Sequence, residues 1–340
     1  MSKILVTGGT GYIGSHTVVE LINNGFEVVI ADNLSNSKID ALDGIEKITG
    51  IRPDFEQIDL RNKRKTSFLF KKHPDIEAII HFAAYKAVGE SVERPLKYYR
   101  NNLLSLINLL ELMRQNSIPN MVFSSSCTVY GQPEKLPVTE DAPVQAATSP
   151  YGNTKQICEE IIRDAVASTE NIKIIALRYF NPIGAHPSAL IGELPVGIPN
   201  NLVPFITQTA IGIREQLSVF GDDYSTPDGS CIRDYIHVVD LAKAHVTAVR
   251  RLLENKNKSK FEMFNLGTGR GVSVLELVNT FEKVTGVKLN YKIVGRRPGD
   301  IEQVWADTSF ANSELGWKAQ STLEETIQSA WDWEKSLKYE

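Results

Sequence analysis

The chain has 340 residues, is 42% hydrophobic and 23% charged, and carries a formal net charge of -4. That length is ample for a large core in one big domain or two, and the near-neutral balance, with no long basic run, leaves no electrostatic footprint for nucleic acid. No apolar run is long enough to cross a bilayer, and a strand follows almost directly on Met1, leaving no room for a leader. Cys127, Cys158 and Cys231 form no C-x-x-C pair, so reduced thiols and a cytoplasmic protein are expected.

Residues 3–7 read as a short apolar strand that runs into Gly8, Gly11 and Gly14. An amphipathic helix follows through Val18, Val19, Leu21 and Ile22, ending near Gly25. Strand, glycine turn and helix form the context of a dinucleotide site. Bare glycines let the backbone approach a pyrophosphate, and the helix N-terminus at Tyr12 and Ile13 offers amide donors. The second strand, residues 27–31, ends at Asp32, whose carboxylate can accept hydrogen bonds from ribose hydroxyls and would repel a 2′-phosphate. The segment from Asn33 through Asn36 to Ser37 has no arginine or lysine, so the expected cofactor is NAD rather than NADP.

Further strands are expected at 54–58, 78–82, 121–124 and 172–177, separated by helical patterns that include a long one at 95–115. The alternation predicts an α/β fold with a doubly wound parallel sheet of Rossmann type, with ligand at the C-terminal strand ends. Those ends carry Asp59-Leu60, Phe82-Ala83-Ala84 and Ser124-Ser125-Ser126, and Asn101 lies in the long helix. Each of these can be a ligand contact or an ordinary turn former.

A helix is expected over 151–169, with Pro150 holding Ser149 extended before it. Tyr151 and Lys155, spaced i and i+4, then lie one turn apart on one face. A phenol ionises near pKa ~10, and a neighbouring ammonium can favour the phenolate. Ser126 follows the fifth strand and can hydrogen-bond both the phenol and a substrate oxygen, completing a Ser/Tyr/Lys set. The six histidines show no metal-ligand spacing, and no metal is expected. Residues 181–232 are rich in Pro, Gly and Asn, with a helical stretch at 203–213 and a strand at 217–220; helices at 239–253 and 274–285 follow.

Together the runs TGGTGYIGSH (7–16), HFAAYKAVGES (81–91), SSSCTVYG (124–131), SPYG (149–152), LRYFNP (177–182), GIPNNL (197–202) and RDYIHV (233–238) resemble the UDP-glucose 4-epimerase family of extended short-chain dehydrogenases/reductases. The resemblance covers nearly the whole chain. The glycine run and the Tyr/Lys pair are common to the superfamily, whereas the surroundings of Lys86, Asn181, Asn201 and Arg233 are more specific. It implies an NAD domain over 1–180 and a UDP-sugar domain over 181–340, with some segments returning to the first. It also implies Lys86 and Phe180 as cofactor contacts. Asn181, Asn201, Leu202, Phe220, Arg233, Arg297 and Asp300 become contacts to the UDP-hexose, and guanidinium forks suit its phosphates.

The implied reaction is inversion at C4 of UDP-hexoses through a transient 4-keto sugar. A 4,6-dehydratase or decarboxylase is the nearest rival; such relatives place carboxylates just after the fifth strand, where this chain has Ser126-Cys127-Thr128-Val129. A non-catalytic NAD-sensing protein and an NAD-consuming dehydrogenase are the others. Apolar residues on several faces of the helices at 95–115 and 151–169 (Leu103, Leu104, Leu106, Ile107, Leu109 and Leu110 on the first, Ile157, Ile161 and Ile162 on the second) predict a homodimer, as does the resemblance. Val304 stands where the family has a residue bordering the pocket for the sugar's 2-substituent. A valine there leaves room for an N-acetyl group, or else simply packs in a core strand.

Overall fold

The computed structural model of the chain describes residues 1–297 and 300–337. In β1 (Lys3–Thr7), Ile4 and Val6 face one side of a sheet and Leu5 the other, and all three are fully buried. A strand buried on both faces needs helices above and below, and the chain supplies them alternately. The order is β1, α1 (Tyr12–Asn23), β2 (Glu27–Asp32), α2 (Ala41–Thr49), β3 (Asp54–Gln57), α3 (Lys63–Lys72) and β4 (Ile76–His81). It continues with α4 (Val88–Glu93), α5 (Pro95–Gln115), β5 (Asn120–Ser124), α6 (Pro150–Ala167) and β6 (Lys173–Tyr179).

The strands form a parallel sheet in the order β6-β5-β4-β1-β2-β3, with Phe261–Leu266 added beside β6 as the seventh strand. The doubly wound sheet expected from the alternation is therefore present. Its winding direction reverses between β1 and β4, which opens a crevice at their C-terminal ends. Val18, Val19 and Leu241 pack on one face with Ile4 and Val6; Leu106, Leu109 and Ile162 pack on the other with Leu5.

Element limits differ from expectation where hydrogen bonds extend or stop them. β6 runs on to Tyr179 because it pairs along its length with Phe261–Leu266. The helix expected at 203–213 is Leu202–Ala210; Gly212, at φ +88°, turns the chain back so that the Ile213 amide donates to the Gln208 carbonyl. The remaining residues build short sheets over the crevice. Asn181–Ile183 pairs with Tyr235–His237, Leu217–Phe220 with Tyr291–Val294, and Ile232–Arg233 lies between Val272–Ser273 and Gln303–Val304. A separate core gathers Val203, Ile206, Leu217, Leu277, Phe281 and Ile327 beneath them. Among the described residues no helix is long and apolar enough to cross a membrane, and no group of His, Cys, Asp or Glu is placed to hold a metal ion.

Candidate active site

The crevice begins at the glycine turn. Gly8 has φ +73°, and a Cβ there would sit 2.9 Å from the Ala83 nitrogen; a Cβ on Gly14 would fall 2.2 Å from the Gly8 carbonyl oxygen. Only glycine lets the turn fold this tightly under the loop after β4. α1 then starts from an extended Gly11 with no side chain capping it. Its first amides, at Tyr12, Ile13 and Gly14, belong to an uncapped helix start of the kind that suits a pyrophosphate. The Tyr12 hydroxyl donates to the Gly184 carbonyl at 2.6 Å, anchoring the turn to the loop above.

At the end of β2, Asp32 accepts from the amides of Thr10 (3.3 Å) and Leu34 (2.9 Å) and from the Ser37 hydroxyl (3.2 Å). Asn33 accepts from the Ser35 amide, while Asn36 is exposed on the same turn. Asp59 is held by Arg61, which keeps its carboxyl below the usual range. Leu60 is buried and its carbonyl accepts from Asn108. The Phe82 amide donates to the Thr7 carbonyl, Ala83 lies over Gly8, and Ala84 follows in the same loop. Asn101 is buried and donates to Asn102, whose own amide reaches the Tyr85 carbonyl and Thr154. The glycine cradle and the carboxylate at the end of β2, with no basic side chain in 33–37, fit a dinucleotide that bears a free 2′-hydroxyl.

Beside this cradle lies the Ser/Tyr/Lys set. Ser149 caps α6, its hydroxyl accepting from the Gly152 amide at 3.1 Å. The helix thus starts at Pro150, and both Tyr151 and Lys155 point into the protein. Ser126 accepts from the Thr128 amide at 3.2 Å, and its hydroxyl also acts on the Tyr151 phenol, favouring ionisation. Burial outweighs that help and pushes the phenol up to about 12. Lys155 donates to the Ser124 carbonyl and sits 4.9 Å from the Phe123 ring centroid, and burial brings its ammonium down to about 8. The sequence spacing alone suggests a phenol made acidic by its lysine; in the folded chain, exclusion of water raises the phenol and the Ser126 hydroxyl is the group that opposes it.

The remaining expected contacts, Phe180 for the cofactor and the others for the sugar nucleotide, come from short strands, a helix start and loops after β6. Phe180 is buried between β6 and Asn181, and Asn181 opens the strand beside Tyr235. Asn201 immediately precedes the helix that begins at Leu202. Arg233 lies 3.9 Å from Asp300, which also accepts from Arg297 at 2.6 Å; Arg297 in turn covers the Phe220 ring at 5.6 Å. Of the run 295–300, Pro298 and Gly299 lie outside the described residues. Val304 is only 4% exposed and packs with Val129, Tyr130, Val138, Phe180 and Ala306.

Three organising groups escaped the sequence reading. Glu159 accepts from Ser125 (2.6 Å) and from Arg178 (2.6 and 2.9 Å), tying α6 to the serine loop after β5. Its signal was available: Glu159 lies one turn beyond Lys155, and Arg178 interrupts an apolar strand. Asp234 gathers the amides of Thr268, Gly269 and Ala306 and so fixes Arg233 beside it. Glu193 joins Lys86 to Asn201, with nothing local to announce it.

Residues 5–330 match the family model described as GDP-mannose 4,6 dehydratase. The UDP-glucose 4-epimerase of Bacillus subtilis is 53% identical over 98% of this chain and 97% of its own. The chain belongs to the UDP-glucose 4-epimerase family. Two solved members are similar along their full length. The enzyme of Stenotrophomonas maltophila, described with bound NAD and formylated UDP-arabinopyranose, has a TM-score of 0.95 and 47% identity, covering 99% of this chain and 98% of its own. The enzyme of Bifidobacterium longum, described in complex with NAD+ and UDP, has a TM-score of 0.93 and 46% identity, covering 98% of each chain. The full-length relatives are epimerases, and residues 126–129 of this chain carry no carboxylate.

Proposed function

We propose that this chain inverts C4 of UDP-hexoses, interconverting UDP-glucose and UDP-galactose through a 4-keto sugar, with Tyr151, Lys155 and Ser126 as its chemical groups. When bound, NAD supplies the acceptor and donor for the C4 hydride and, oxidised, a positive charge. Tyr151 takes the proton of the 4-hydroxyl as phenolate and returns it when the ketone is reduced. A half-buried phenol near 12 is scarcely ionised at neutral pH, so the charge of Lys155 has to be kept close and dry, where Coulomb attraction is strong. Ser126 holds the reacting oxygen. The observation that carries this reading is the placing of half-buried Tyr151 and buried Lys155 one turn apart on α6 with the Ser126 hydroxyl acting on the phenol.

The cofactor contacts are assigned to the glycine turn, Asp32 to Ser37, Asp59-Leu60, Phe82 to Ala84, Lys86, Asn101 and Phe180. The UDP-hexose is assigned to Asn181, Asn201, Leu202, Phe220, Arg233, Arg297, Asp300 and Val304. The nucleotide unit comprises 1–180 together with the segments that return to its sheet, the helix Val238–Leu253 and the strand Phe261–Leu266; the rest forms most of the sugar-nucleotide unit. The protein works as a cytoplasmic homodimer through α5 and α6, where Leu104 and Ile107 stand exposed. Purified protein is expected to convert UDP-galactose to UDP-glucose without added cofactor; a requirement for stoichiometric NAD would instead mark a dehydrogenase.

A further inference from the structure

Glu193 lies in the stretch between Ile183 and Leu202, whose start at Gly184 is tied to the glycine turn by the Tyr12 hydroxyl, and its side chain is 13% exposed. One of its oxygens, Oε1, accepts from Asn201 Nδ2 at 2.5 Å and from Lys86 Nζ at 3.3 Å. Those donors come from distant parts of the chain, Lys86 from the loop after β4 and Asn201 from the residue before the Leu202–Ala210 helix. Asn201 stands at the start of the Leu202–Ala210 helix but its Oδ1 caps no helix amide, and its Nδ2 donates to Glu193.

The main chain at Glu193 is also clamped. Its carbonyl accepts from Trp333 Nε1 at 2.9 Å, and a Cβ on neighbouring Gly192 would fall 2.4 Å from the Trp333 ring. The C-terminal helix Leu323–Ser336 therefore seats tightly against this turn. The carboxylate's charge also reaches Tyr12 in the glycine turn, whose hydroxyl is tied to Gly184 at the start of the same stretch. A rigidly mounted acid that bridges both layers of the cleft acts on ligands of both.

We infer that Glu193 is a positioning residue, a latch that holds Lys86 toward the cofactor and Asn201 toward the UDP-sugar and keeps the strap 184–201 closed over bound NAD. This rests on the proposed reading of those two residues. The arms differ in strength. The Asn201 bond is short and charge-assisted, whereas the Lys86 pair is longer and its ammonium is 45% exposed, so solvent screens it.

The test is Glu193→Gln in the NAD-loaded protein, which keeps shape and removes charge. KM for UDP-galactose is expected to rise about ten-fold, as loss of a charge-assisted hydrogen bond predicts, with a smaller change in kcat. Release of NAD, followed as nucleotide remaining on the protein after gel filtration, is expected to quicken about three-fold, the scale of an exposed ion pair. In a Lys86→Met background the substitution adds nothing to NAD release, because that arm is already cut. Glu193→Asp, charged but a methylene too short to reach both donors, shifts both readouts in the same direction. Unchanged KM and unchanged NAD release in Glu193→Gln and Glu193→Asp overturn the latch, whether or not the melting temperature falls. A wild-type protein that neither holds NAD nor epimerises overturns the functional reading and the latch with it.

Discussion

Lys155→Met should make the protein more stable and inactive. Burial lowers the Lys155 pKa from 10.5 to about 8, so holding the ammonium inside the fold at pH 7 costs about 3 kcal/mol. Methionine has similar bulk and no charge. It leaves the Ser124 carbonyl without its donor, a loss of about 1–2 kcal/mol. The net gain is about 1–2 kcal/mol, or about 2 °C in melting temperature for a chain of 340 residues. The pH dependence identifies the cause. Between pH 8 and 10.5 the unfolded chain keeps a proton on this lysine that the folded chain has released, so wild-type stability rises with pH across that window. The advantage of Lys155→Met is therefore full below pH 8, shrinks as pH rises, and has reversed by 10.5, where only the lost donor to Ser124 remains. Thermal melts of both proteins freed of nucleotide, at pH 7 and near pH 10, measure it, and an epimerase assay follows the lost activity. A variant that melts below wild type at pH 7, or a difference that does not shrink with pH, refutes the argument.

Tyr151→Phe is expected to lower epimerisation by ~10²–10⁴-fold with an unchanged circular dichroism spectrum, the scale of a lost general base; wild-type turnover would remove Tyr151 from the mechanism. Arg178→Met strands the buried Glu159 carboxylate and should cost about 3–5 kcal/mol, lowering the melting temperature by about 4–7 °C. A melt within a degree of wild type would show that water reaches that pair. Sedimentation at micromolar concentration should find a dimer, and a monomer alone would exclude α5 and α6 as a stable interface. Wild type is expected to interconvert UDP-GlcNAc and UDP-GalNAc, and Val304→Tyr to lose that activity selectively; absence of the first would leave Val304 with only its packing among Tyr130, Phe180 and Ala306.

What could be read directly from the chain was local. The glycine spacing, Asp32 at a strand end and the i, i+4 pair of Tyr151 and Lys155 lie within single turns or helices, where backbone geometry converts sequence distance into spatial distance. The alternation of strand and helix likewise fixed the parallel sheet, because each buried strand needs a crossover helix to reach its neighbour. Two kinds of property depended on the tertiary structure. The first is pairing between distant segments: Glu193 meets Lys86, and Arg178 meets Glu159, only because layers fold over one another. The second is the sign of an environment. Sequence places a lysine near a phenol, which argues for an acidic phenol. Folding then removes water from both groups, and desolvation pushes Tyr151 up and Lys155 down. Burial is a sum over everything packed around a group, so no short stretch of sequence contains it.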